Sequence, residues 1–330
     1  MTVTNKYCGA TAGFRHNAGF AFSIPPMSAD PAPRRAPDST PNADPKSDAP
    51  KSDTIPALPP LNAATLLRAL FKRRRRTSGA RTPRSAFRLD AIDPAWLRRY
   101  RQALGFRDQG VPLTFYYLLA QRAQVATMLD PAFPFRLPGI VHAENALRLD
   151  APRPDLPLLL STSVAIRTPS DSGAVYAVLE TVGEQEGRTV LYCGSTYLVV
   201  RGQHGAGPRP QAREAALSAV GAWRLGSGSG RAYARVSGDW NPIHLWAWSA
   251  RLMGMRRPII HGMHTLARAC AELEHAGGRQ VVALEARFKA PATLGSELVL
   301  GADLADGRFA VRCGERTVAE GRFELGAALA

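Results

Sequence analysis

The chain has 330 residues, 45% of them hydrophobic, and a formal charge of +15. That is enough apolar material for a sizeable core in one large or two medium domains. The charge alone would suggest a nucleic-acid binder, but residues 1–85 hold 14 of the 42 Lys/Arg and only 5 of the 27 Asp/Glu. Most of the excess therefore belongs to an arm, and nucleic acid is not expected as a partner of the body. Cys8, Cys193, Cys270 and Cys313 lie far apart without a CxxC pair, which reads as a reducing, cytoplasmic setting with Cys as small core residues. No apolar run approaches the roughly 18 residues of a membrane-spanning helix, and no h-region with a cleavage site opens the chain. Membrane and secretory roles are not expected.

Residues 28–61 are dense in Pro, Asp, Ser, Ala and Lys, a composition that cannot offset the entropy of ordering. Residues 1–86 are accordingly expected to form a disordered, basic, Pro-rich arm, with Met27 as an alternative start. A short helix over 62–71 runs into Lys72-Arg73-Arg74-Arg75-Arg76, which suits either a phosphate-binding arm or a solvated tail. Order is expected from Phe87. Helical spacing marks 94–104, and 113–128 is apolar almost all round, which predicts a buried helix. Strands follow at 140–149, 158–166, 174–182 and 189–201, separated by Pro, Gly and charged turns.

The second half repeats this order, with a helix over 261–274 and strands at 281–289, 297–304, 308–312 and 316–324. Arg148-Leu-Asp-Ala-Pro152 matches Arg287-Phe-Lys-Ala-Pro291, each closing the first strand after a long helix. The expectation is two α+β repeats, 87–202 and 216–330, joined by a linker over 203–215. One long apolar helix followed by antiparallel strands resembles the hot-dog fold, so two copies make a double hot-dog.

The segment Tyr233–Thr265 carries the chemistry. Ser237-Gly238 and Asn241-Pro242 are turn formers, which places Asp239 where the chain changes direction and His244 just past the next turn. Such a turn can aim both side chains into one cleft, where an acceptor and a near-neutral titrating group can position a water and move its protons. A buried structural Asp–His pair is the alternative. Gly262 opens the next helix, and its N–H can receive a carbonyl oxygen as it gains negative charge.

The string Tyr233-x-x-x-Ser237-Gly238-Asp239-x-Asn241-Pro242-Ile243-His244, followed by Pro258-Ile259-x-His261-Gly262-Met263, resembles the signature of the MaoC-like dehydratases, or (R)-specific enoyl-CoA hydratases. The resemblance implies a hydro-lyase acting on a 2-enoyl or 3-hydroxyacyl thioester. It assigns the catalytic water to Asp239 and His244, carbonyl polarisation to Gly262, and loop ordering to Asn241. It implies no metal or redox cofactor, coenzyme A or phosphopantetheine entering only as part of the substrate. The partners it implies are an acyl-CoA or an acyl carrier protein, and a homodimer of double hot-dogs is a further expectation. The first repeat lacks the string, so one active site per chain is expected.

Other candidates admit two readings. Trp246 and Trp248 either contact substrate or cover the pocket. Arg256, Arg257 and Lys289 suit coenzyme A phosphates or a solvated face. His261 and His264 are metal ligands or polar helix-end residues. His142 is read as structural and Cys270 as core. Tyr116, Tyr117 and Leu118 are either core or the wall of an acyl tunnel.

Overall fold

A computed structural model describes residues 55–73, 82–202 and 217–328. Before the first repeat come helix α1 (Ala63–Phe71) and strand β1 (Arg84–Leu89). Then follow α2 (Pro94–Leu104), α3 (Leu113–Leu129), β2 (Val141–Leu149), β3 (Leu158–Ile166), β4 (Val175–Gln185) and β5 (Arg188–Val200). The second repeat contains β6 (Ser218–Arg224), α4 (Ser229–Ser237), α5 (Ala247–Leu252) and α6 (Gly262–Gly277). It ends with β7 (Arg279–Phe288), β8 (Glu297–Asp303), β9 (Arg308–Cys313) and β10 (Arg316–Ala328).

The strands form one antiparallel sheet in the order β1-β3-β4-β5-β2-β7-β10-β9-β8-β6. Each half reads the same outward from the centre, with β2 facing β7 and the edge strands β1 and β6 in equivalent places. Register makes the symmetry exact to the residue. Ala146 lies opposite Glu285 in the β2–β7 pairing, a separation of 139 positions, the same as between Arg148 and Arg287 in the repeated pentapeptide. The two-fold relating the halves therefore passes through that pair. Helices α3 and α6 precede β2 and β7 and touch one another inside the sheet. Helix α3 is buried nearly all round, from Leu113 to Met128, as its continuous apolar surface requires. Helix α2 starts on an Asp93 cap with Pro94 in its first turn and stops at Gly105, whose φ of 76° is the left-handed conformation glycine tolerates.

The sequence reading omits both edge strands and α4. Strands β1 and β6 are short and only partly covered, so their alternation is weak. Helix α4 starts on a Gly/Ser-rich stretch, and Gly230 is needed there because any Cβ would collide with the His244 carbonyl.

The arm boundary needs correction. Residues 1–54 and 74–81, Cys8 and the linker 203–215 lie outside the described residues. Residues 55–73 instead pack on the body. Leu58 is buried in the main core. Its N–H donates to the Arg88 carbonyl at 2.8 Å, and the Arg88 N–H donates to Pro56 at 2.9 Å. Arg122 reaches the Pro59 carbonyl at 2.9 Å, and Lys72 Nζ donates to the Met128 and Asp130 carbonyls at 2.6 Å. Composition could not show this, since the ordering comes from β1 and α3, far away in sequence. Burying one leucine contributes about 1.5–3 kcal/mol. A chain lacking residues 1–84 should therefore melt about 5 °C or more below one lacking residues 1–54; equal melting temperatures by calorimetry would remove the arm from the folded body.

Candidate active site

The loop after α4 is built by successive side-chain turns. Gly238 ends the helix at φ 77°, its N–H donating to Ala234. Ser237 Oγ accepts from the Asp239 N–H at 3.2 Å, and Asp239 Oδ1 accepts from the Asn241 N–H at 3.2 Å. Asn241 Oδ1 then accepts from the Ile243 N–H, capping the 3-10 turn Pro242–His244. Short Ser, Asp and Asn side chains make such turns because each reaches its own backbone two residues on. The polar residues of the motif thus shape the loop that presents two of them.

His244 is buried, and its Nδ1–H donates to the Ile259 carbonyl at 2.9 Å, leaving Nε2 as an acceptor. His261 stacks on it with ring centroids 3.7 Å apart. The His261 Nε2–H donates to the backbone carbonyl of Asp239 at 2.9 Å, so this histidine fixes Asp239 as well as His244. The sequence reading missed that role; the His at the residue before Gly262 was its only signal. Burial pushes the His244 imidazole down to about 3, with His261 adding to the effect and Asp239 opposing it. Burial lowers His261 too. At neutral pH both rings are uncharged bases.

Asp239, Asn241, His244, His261 and Gly262 all line one cavity of about 450 Å³. No side chain caps α6 at His261, so the Gly262 amide in its first turn has no intrahelical acceptor. The first repeat supplies the facing wall through Tyr117, Gln121 and Met128 on α3, His142 on β2 and Tyr197 on β5. Of the three helix residues singled out, Tyr117 lines the cavity, while Tyr116 and Leu118 are core. His142, expected to be structural, also faces the cavity. It stacks on Tyr197 at 4.6 Å, and its Nε2 is buried without a partner among the described residues.

Two expected substrate contacts are not in this wall. Trp246 is exposed and stacks on Trp248 with centroids 6.0 Å apart, because it starts α5 on the outer side of the loop. Arg257 is exposed and outside the lining. Lys289 lines the cavity but is paired with Glu320 at 2.7 Å. Cys270 is core, as expected. His264 is buried edge-on to Tyr233. The ligand atoms of Asp239, His244 and His261 lie within 4.8 Å of one another, a set that could hold a divalent cation.

Symmetry, continuous sheet and paired inner helices define a double hot-dog with one Asp–His cleft. Residues 215–320, about a third of the chain, match the family described as "MaoC like domain". The chain is 27% identical over 216 residues to 3-hydroxyacyl-thioester dehydratase X of Mycobacterium tuberculosis, covering 62% of this chain and 74% of that protein. The crystal structure of HtdX from the same organism superposes with a TM-score of 0.59 at 23% identity, covering 73% of this chain and all of that one. A conserved M. tuberculosis protein described as a double hot-dog fold superposes at 0.50 with 15% identity, covering 74% and 96%. No helix of the described residues is long and apolar enough to cross a membrane.

Burial holds His244 and His264 near 3 and His142 near 4, against an ordinary 6.5. Each stays neutral in the fold while the unfolded chain takes up a proton. The stability they allow is complete above about 6.5 and is lost progressively as pH falls toward 3–4. Denaturant melts from pH 8 to pH 4 should show stability falling below about 6.5, and His264→Gln should flatten the slope. A slope unchanged by that substitution would contradict the neutral assignment.

Proposed function

We propose that the protein is a hydro-lyase that adds water to a 2-enoyl thioester and removes it from a 3-hydroxyacyl thioester. The observation that carries this is an oriented, uncharged His244 beside the Asp239 carboxylate, facing a mostly apolar cavity that also holds the first amide of α6. The relative named a 3-hydroxyacyl-thioester dehydratase supports the same chemistry.

In the proposed reaction a water donates one O–H to His244 Nε2 and the other to Asp239. Its oxygen attacks C3 as His244 takes the proton, and the thioester oxygen gains enolate charge that the Gly262 N–H receives. The dyad then returns one proton to C2, so one water is consumed and a 3-hydroxyacyl thioester formed. A C3–O bond and a C2–H bond form as the C2=C3 π bond and one O–H bond break, with no net oxidation or reduction, so acid–base groups and an oxyanion donor suffice. His261 acts as a positioning residue, through its hold on Asp239 and its stack on His244. We assign the carrier as coenzyme A, with the exposed Arg256 and Arg257 suited to its phosphates. R stereochemistry follows from the motif resemblance.

Because both dyad residues act on one water, their losses should not add. Asp239→Asn and His244→Ala should each lower crotonyl-CoA hydration, followed at the enone absorbance, by about two to four orders of magnitude. The double variant should be little worse than the poorer single. Near-wild-type turnover by either single variant, with the fold intact, would sink the assignment.

A further inference from the structure

Large apolar side chains exposed at the surface are concentrated around the cavity mouth. Eleven occur among the described residues, and eight come from two segments, 67–71 and 240–253. Leu70 of the first segment and Trp240 and Met253 of the second all line the cavity, so the segments flank one opening. The most exposed members lie outside its lining: Phe71 is 73%, Leu252 78% and Trp248 63% exposed. On α1 the exposed Leu67, Leu70 and Phe71 fall at helical i, i+3 and i+4 positions, making one apolar stripe.

Charge is equally one-sided. Residues 61–76 and 240–257 contain no Asp or Glu, while the first stretch carries Arg68 and the run Lys72–Arg76, and the second carries Arg251, Arg256 and Arg257. An apolar, Trp-bearing rim set among basic residues is the chemistry of a surface that seats in the headgroup layer of an anionic bilayer. Trp prefers that boundary, and Lys/Arg reach the phosphates. Helix α1 is held for this task by Lys72 on the Met128 and Asp130 carbonyls.

We propose that the rim formed by α1 and α5 docks on an anionic lipid bilayer, with the cavity mouth facing the membrane. Such docking would let an acyl chain pass from lipid to cavity without crossing water. It does not depend on the hydro-lyase reading.

The test is co-sedimentation of the full chain with phosphatidylcholine vesicles with or without phosphatidylglycerol. Wild type should bind only the anionic vesicles, lose binding at high salt, and shift its tryptophan emission to the blue. The triple variant Phe71→Ser/Trp248→Ser/Leu252→Ser should bind about tenfold or more weakly at unchanged melting temperature. The separate pair Arg251→Glu/Arg256→Glu, which leaves the apolar rim intact, should also weaken binding. Failure of wild type to sediment with anionic vesicles would overturn the proposal. So would undiminished binding by both variants, or a patch occupied instead by an acidic carrier protein or a second copy, seen as a stable complex by size exclusion.

Discussion

The pairing of β2 with β7 is the constraint on which the rest of the molecule depends. It joins two five-stranded halves into one sheet and turns two helices that could not each be fully covered alone into a shared core. Its register, with Ala146 opposite Glu285, sets the halves so that the wall of the first repeat faces the loop of the second. The cavity is thus a product of the duplication. Tyr117, His142 and Tyr197 come from one half and Asp239, His244 and Gly262 from the other.

Enclosure by both halves also sets the chemistry. An imidazole exposed to water is partly charged near neutrality, and once protonated it donates from both ring nitrogens and can accept nothing. Burying His244 against Ile259 and His261 removes that ambiguity and fixes which ring nitrogen carries the hydrogen. The cost falls on the folded state at acid pH, and it is shared with His142 and His264, whose rings are buried in the same way. Stability given up in acid is the counterpart of a base that is ready at neutral pH.

Much of this was legible in the sequence because the signals are local. The turn-forming Ser237, Asp239 and Asn241 act within two residues of themselves, so the motif fixes its own loop. The apolar helix and the repeated Arg-x-x-Ala-Pro strands likewise declare themselves, and they carry the double hot-dog fold. What stayed hidden depends on distant partners. Leu58 sits in a Pro-rich stretch and is ordered only by Arg88 and the core. Gly230 looks like a flexible residue until the His244 carbonyl is seen against it. His142 reads as any strand histidine until the other half of the sheet closes over it, and Trp246 looks like a pocket residue until α5 carries it to the outside.

Asp239 and His244 are proposed to move the protons of one water across a carbon–carbon double bond. The most direct measurement is mass and proton spectroscopy of the product formed from a 2-enoyl-CoA in water enriched in deuterium and in heavy oxygen. The expected product is an intact 3-hydroxyacyl thioester with solvent oxygen on C3 and one solvent hydrogen on C2, formed by wild type and nearly absent with Asp239→Asn. Release of free coenzyme A, with heavy oxygen in a liberated carboxylate and none on C3, would show thioester hydrolysis and contradict it.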